Sequence, residues 1–226
     1  LIEPDYSAEI EELVTKVDAV HSAGLMAHIF VTHCFHSIGT SMGLETLAIM
    51  CYDDFGLVEE CMELIEDFNR RLLEKILTQG IKPDFVIYDG DCAFKNGMMV
   101  APDMYRKLVY GRTQRSTEVL HKAGIPYLFH TDGKIDQVLP IIIELGFSAV
   151  HGIEAQANDL AVIKKHFGKD ITLIGNFDPV FIAQAEPADI KKETKKMLDA
   201  GAPGGRYIAA LNTIVQEHIP VENYLA

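Results

Sequence analysis

Short apolar runs alternate along this chain with longer stretches in which apolar residues recur every three or four positions. Six runs, "LMAHIFVT", "DFVIYD", "IPYLFH", "AVHGIE", "ITLIGN" and "RYIAAL", are apolar on both faces and mostly end in turn chemistry, as strands buried in a parallel sheet do. The helical period predicts helices over 7–22, within the acidic stretch 53–80, and over 102–122, 134–146, 156–167 and 187–201. Gly24, Gly80, Gly124 and Gly146 fall where helix gives way to strand and are read as helix stops. Strand and helix alternate throughout, so the fold class is α/β: a parallel sheet wrapped by helices, either an open doubly wound sheet or a (β/α)8 barrel.

With 226 residues, 48% of them hydrophobic, the chain can bury the core of one domain, and no linker or repeat divides 1–226. Six strands are two short of a full barrel; the absent units are expected before Leu1, making the chain the carboxyl-terminal two thirds of a longer one. No apolar run approaches the roughly 20 residues that cross a bilayer, and "LIEPDYSAEIEEL" lacks the features of a signal peptide, so a cytoplasmic location is expected. The balance of 20 Lys and Arg against 33 Asp and Glu, a net charge of −13, argues against nucleic acid and anionic lipid as partners. Cys34, Cys51, Cys61 and Cys92 form no CxxC pair and are read as reduced thiols.

Polar residues collect at the carboxyl ends of the predicted strands: Thr32 and His33, Asp89 and Asp91, His130 and Asp132, Glu154, Asn176 and Asp178, and Asn212. In parallel α/β folds those ends converge on one mouth, where active sites lie. Any one of them alone is readily a turn former or helix cap; the convergence of the set is what argues for a site. Asp89 and Asp91, with Gly90 between, either raise one another's pKa for acid/base work or bind amides of their own loop. In "FHTDGK", His130 and Asp132 are either half of a metal site or a core histidine followed by a helix-capping acid. "THCFH" on a strand-end turn is a weaker metal reading, His28 is expected in the core, and His21, His121 and His166 on helix surfaces. No P-loop, GxGxxG or GxSxG motif is present, which argues against kinase, Rossmann and serine-hydrolase chemistry.

Five separated segments, "GDCAFKNGMMVAPDMYRKLV", "GIPYLFHTDGKIDQVLPIIIELGFSAVHGIE", "ITLIGNFDP", "GGRYIAALN" and "IPVENYLA", resemble in order the uroporphyrinogen decarboxylase superfamily. The resemblance implies a (β/α)8 TIM barrel and either of two activities, porphyrinogen decarboxylation or cobalamin-dependent methyl transfer. The methyltransferase branch builds a zinc site from His-x-Cys at one strand end, often a Glu at the next, and a late Cys. Here that pattern falls on His130, Asp132 and Glu154, with Asn212 or Thr213 standing near where the late Cys would be. An N,O,O set is harder than a thiolate site and better suited to polarising an oxygen. The decarboxylase branch wants a basic mouth for a polyanionic substrate, and Lys95, Lys134 and Arg206 are the few candidates.

The expectation is therefore a corrinoid-dependent methyltransferase. His130, Asp132 and Glu154 hold zinc or a similar divalent metal, and Asp91 joins His130 and Asp132 in catalysis by orienting the leaving group or moving a proton. Asp89, Asn176, Asp178, Asn212 and Arg206 line the small-molecule substrate, and the corrinoid comes on a partner protein. Uroporphyrinogen decarboxylase is the alternative activity, a non-catalytic ligand-binding homologue is a third reading, and an oligomer is compatible with all three.

Overall fold

The sheet follows the order of the chain. A computed structural model describes residues 7–226, and its strands β1 (His28–Thr32), β2 (Phe85–Asp89), β5 (Tyr127–His130), β6 (Ala149–Ile153), β7 (Thr172–Phe177) and β8 (Tyr207–Leu211) each pair in parallel with the next. All six are the strands the apolar runs predict. A doubly wound sheet reverses direction at a switch point; this one does not, so its order is that of a barrel wall. Among the described residues β1 and β8 each pair on one side only, and Phe30 and Ile208 on these outer strands stay 54% and 53% exposed.

Helices α1 (Ser7–Ser22), α4 (Phe55–Thr78), α5 (Pro102–Ala123) and α9 (Pro187–Gly201) match the predicted spans closely. The predicted 134–146 and 156–167 shrink to α6 (Leu139–Glu144) and α7 (Leu160–Phe167), because the residues before each form the loops of the mouth. The periodicity did not reveal α2 (Cys34–Met42), α3 (Leu44–Asp53), α8 (Pro179–Gln184), α10 (Val221–Tyr224) or the hairpin β3 (Ala93–Phe94) and β4 (Gly97–Met98). Gly24, Gly80, Gly124 and Gly146 all have positive φ, as expected of helix stops.

The core packs the sheet against α4 and α5. The buried face of α4 is the stripe Val58, Met62, Glu66, Asn69, Leu73 and Ile76, spaced by three and four, and Asp54 starts the helix by accepting the Leu57 N–H at 3.1 Å. Beneath the mouth Tyr88, Tyr127 and Phe129 pack edge-on around Phe147, with centroids 5.4, 5.0 and 5.2 Å away. Each such ring pair adds about 0.5–1.5 kcal/mol beyond its buried area, which gives the strand ends a stiff floor.

Glu66 breaks the apolar stripe of α4. It is 1% exposed, and its carboxylate takes the Cys34 N–H at 3.3 Å and the Ser116 hydroxyl at 2.8 Å. His33 lies beside it with Nε2 2.8 Å from Thr113 Oγ1; burial lowers its pKa and raises that of the Cys34 thiol. Asn69 donates to the Thr32 carbonyl at 2.9 Å, so α4 is tied by polar contacts to the end of β1.

Candidate active site

Parallel register builds the site. Asp89 and His130, the last residues of β2 and β5, share one rung with His151, the middle residue of β6. The two histidine rings lie 4.9 Å apart, with Nδ1 of each 2.8 Å from Nδ1 of the other, and His151 Nε2 is 3.0 Å from the Leu211 carbonyl oxygen on β8.

Just past the rung, the loops after β2 and β5 interlock. Asp91 Oδ1 accepts the Asp132 N–H at 3.0 Å, the Asp91 N–H donates to His36 Nδ1 at 3.1 Å, and Asp91 Oδ2 stands 3.8 Å from that nitrogen. Gly133 donates its N–H to Glu154 Oε2 at 2.9 Å, and Lys134 N–H reaches the Phe94 carbonyl of the hairpin at 2.9 Å. Asp91, His130 and Asp132 each bring a potential ligand atom within 4.8 Å of the others. Among the described residues the Asp132 carboxylate accepts no hydrogen bond, and its Oδ1 is buried without a partner. Burial pushes its pKa up to about 6; His130 opposes that shift, while Asp91, Glu154 and Asp89 add to it.

This arrangement fits a divalent cation, because a buried carboxylate oxygen with nothing to bind sits beside an imidazole and a second carboxylate. A second trio, His36, Asp89 and Asp91, is equally close, but there the His36 Nδ1 lone pair already accepts the Asp91 N–H. Its role is to hold Asp91. The "THCFH" histidines thus part company: Cys34 begins α2, His36 turns to the mouth, and His33 joins Cys34 and Glu66 in the interior.

Several expectations are corrected. Glu154 is outside the group that Asp91, His130 and Asp132 form within 4.8 Å, and its carboxylate anchors the loop at Gly133. Asp132 does not cap a helix, since α6 starts only at Leu139 with Val138 before it and no side-chain cap. Asp178 is itself a cap: its Oδ1 takes the Val180 N–H at 2.8 Å while Oδ2 takes Gln156 Nε2 at 3.0 Å. Arg206 precedes β8, at the end of the sheet away from the mouth, where it donates to the Asp170 carbonyl at 3.2 Å. Lys95 does lie at the rim, bonded to Gln156 at 2.7 Å. His28 is exposed and stacks on Phe85 because β1 is an outer strand.

Asn176 and Asn212 end β7 and follow β8, as the strand-end pattern requires. Asn176 sits at φ 80° and donates to the Ile153 carbonyl at 3.1 Å; Asn212 is 7% exposed, and its buried Oδ1 has no partner among the described residues. Sequence reasoning missed His151, hidden inside an apolar strand, and Glu66, hidden in an acidic helix. The signal available for both was a polar residue in a position whose period is apolar.

A parallel sheet in barrel order with a histidine and carboxylates at the strand ends defines an enzyme-type α/β mouth. In fold the chain is similar to a methyltransferase from Methanosarcina mazei, with a TM-score of 0.76 over 96% of this chain, at 15% sequence identity. It spans 61% of the length of that chain. The family described as uroporphyrinogen decarboxylase (URO-D) matches residues 9–226, and the chain belongs to that family. No curated protein matches it. Among the described residues no helix is long and apolar enough to cross a membrane.

Proposed function

We propose that this protein is a methyltransferase of the URO-D superfamily whose mouth holds a divalent metal, zinc or similar, between His130, Asp132 and Asp91. The observation that carries the reading is Asp132: its carboxylate lies beside an imidazole and a second acid, with a buried Oδ1 that has no partner among the described residues. The bound cation supplies Lewis acidity, drawing electron density from a substrate oxygen or thiol and easing its deprotonation.

The chain's own groups do the rest. Asp91 fixes the Asp132 main chain through the 3.0 Å bond while contributing its remaining lone pairs to the trio. Among the described residues Asp89 makes no hydrogen bond through its carboxylate, which leaves it available to bind the substrate. Asn212 Oδ1 offers an unspent acceptor for orienting the substrate, and Asn176 lines the adjoining strand end. A corrinoid carried by a partner protein would be the other party to the methyl transfer, with this chain's part being to bind and orient the small-molecule substrate.

Metal content is the test. Purified protein is expected to hold stoichiometric zinc or cobalt and to lose it in His130→Ala, and to exchange methyl groups between methylcobalamin and a small thiol or alcohol. Protein that binds no metal, or binds it equally well as His130→Ala, overturns the reading. Conversion of uroporphyrinogen to coproporphyrinogen without metal assigns the decarboxylase activity instead.

A further inference from the structure

We infer that His151 is a positioning residue, holding His130 in the tautomer whose proton is on Nδ1 and whose lone pair is on Nε2. The argument is a count of protons. The Leu211 carbonyl oxygen, 3.0 Å from His151 Nε2, can only accept, so Nε2 carries the proton of the His151 ring. A neutral imidazole has one such proton, which leaves His151 Nδ1 bare and accepting. The atom facing it at 2.8 Å is His130 Nδ1, which must therefore donate. A neutral His130 is then left with its lone pair on Nε2, the form a metal or an acidic proton requires.

The competing arrangement puts protons on both nitrogens of His151 and lets His130 Nδ1 accept. It places a cation on a half-buried ring whose hydrogen-bond partners among the described residues are the Leu211 carbonyl and the other imidazole, with no carboxylate to answer the charge, whereas a neutral ring satisfies both bonds. Electrostatics therefore rejects it.

Backbone geometry is arranged for this contact. Register sets the two histidines side by side, and a bulge between His151 and Ile153 breaks the β6 to β7 ladder just there. The Leu211 carbonyl lies two strands away from His151, beyond β7. On β7, Gly175 has φ 125°, and a Cβ there would lie 3.7 Å from that same carbonyl oxygen and 3.4 Å from Ile153 N. The last strand is thereby coupled to the orientation of the first ligand.

The functional consequence rests on His130 being a metal ligand, whereas the tautomer rests on the hydrogen bonds alone, so the two are tested separately. In metal-free, 15N-labelled full chain, the imidazole nitrogen shifts of His130 are expected to report a protonated Nδ1 and a bare Nε2; a protonated Nε2 overturns the proposal. In His151→Phe, which keeps the ring and removes the acceptor, zinc affinity measured by chelator competition is expected to fall about 10–100-fold, the usual cost of losing a ligand's outer partner. His151→Asn, whose Oδ1 can stand where Nδ1 stands, is expected to recover part of that loss. Unchanged His130 shifts and zinc affinity in a folded His151→Phe protein also overturn the proposal. Failure of the wild-type protein to bind zinc removes the proposed function and leaves the nitrogen shifts to decide the tautomer.

Discussion

Asp91 Oδ1 accepts the main-chain N–H of Asp132 at 3.0 Å, so one candidate ligand holds the backbone of another. The two loops they belong to follow adjacent strands, and this bond fixes their spacing. Asp91→Asn keeps an acceptor at the same place and is expected to leave stability nearly unchanged while weakening metal binding. Asp91→Ala leaves the Asp132 N–H without its partner and is expected to cost about 1–3 kcal/mol, read from urea unfolding. Equal stability of the two variants would contradict the role given to this bond.

The raised pKa of Asp132 makes folding of the metal-free protein pH-dependent in a defined direction. The unfolded carboxyl titrates near its ordinary value of 3.8 and the folded one near 6, so between these the unfolded chain releases a proton that the folded chain keeps. This group's contribution therefore weakens folding as pH rises through the window, and the penalty persists above it. Asp132→Asn is expected to be more stable than wild type above about pH 6 and to lose that advantage below about pH 4, measured as urea midpoints at a series of pH values. Metal bound at the site cancels the difference, because the charge then has a counter-ion.

How far the sequence discloses this protein depends on the length scale of the signal. Strands such as "DFVIYD" and the long helix 55–78 were legible because their periodicity runs over many residues. The convergence of Asp91, His130 and Asp132 was legible too, since strand ends in a parallel sheet meet at one mouth. That Asp91, and not Glu154, comes within 4.8 Å of both His130 and Asp132 was not legible, because it depends on how the folded loops space the carboxylates and not on their order in the chain. Asp178 and Arg206 were misplaced for related reasons: the first is consumed by the N-terminus of α8, and the second lies before its strand, at the opposite end of the sheet. His151 escaped notice because a single polar residue inside "AVHGIE" looks like noise until register sets it beside His130.

Gly133 is one of the tight points of the mouth. Its φ is 82°, and a Cβ there would come within 2.6 Å of the carbonyl carbon and oxygen of Ala93, backbone atoms that cannot swing aside. Gly133→Ala is expected to cost at least about 1–3 kcal/mol from strain alone and to displace the hairpin. Urea unfolding gives the loss, and amide exchange at Lys134, bonded to Phe94, reports whether the hairpin has moved.

Replacing the hard oxygen donor at Asp132 with a thiolate gives a directional test of the trio. Asp132→Cys is expected to bind zinc more tightly than wild type and to favour it over magnesium or manganese, as chelator competition would show. No gain in zinc affinity in this variant would mean that the side chain at 132 does not reach the ion.

The segment 132–134 is moored at three points to two neighbouring loops, by the bonds from Asp132 to Asp91, from Gly133 to Glu154 and from Lys134 to Phe94, and in each of them it contributes only a peptide N–H. The side chain at 132 does none of the mooring. A scaffold of this sort can exchange its chemical tip, oxygen for sulfur or the reverse, while the frame around it keeps its shape. Position 132 thus behaves as a socket, and drift in reactivity among proteins built this way need not await any rebuilding of the frame.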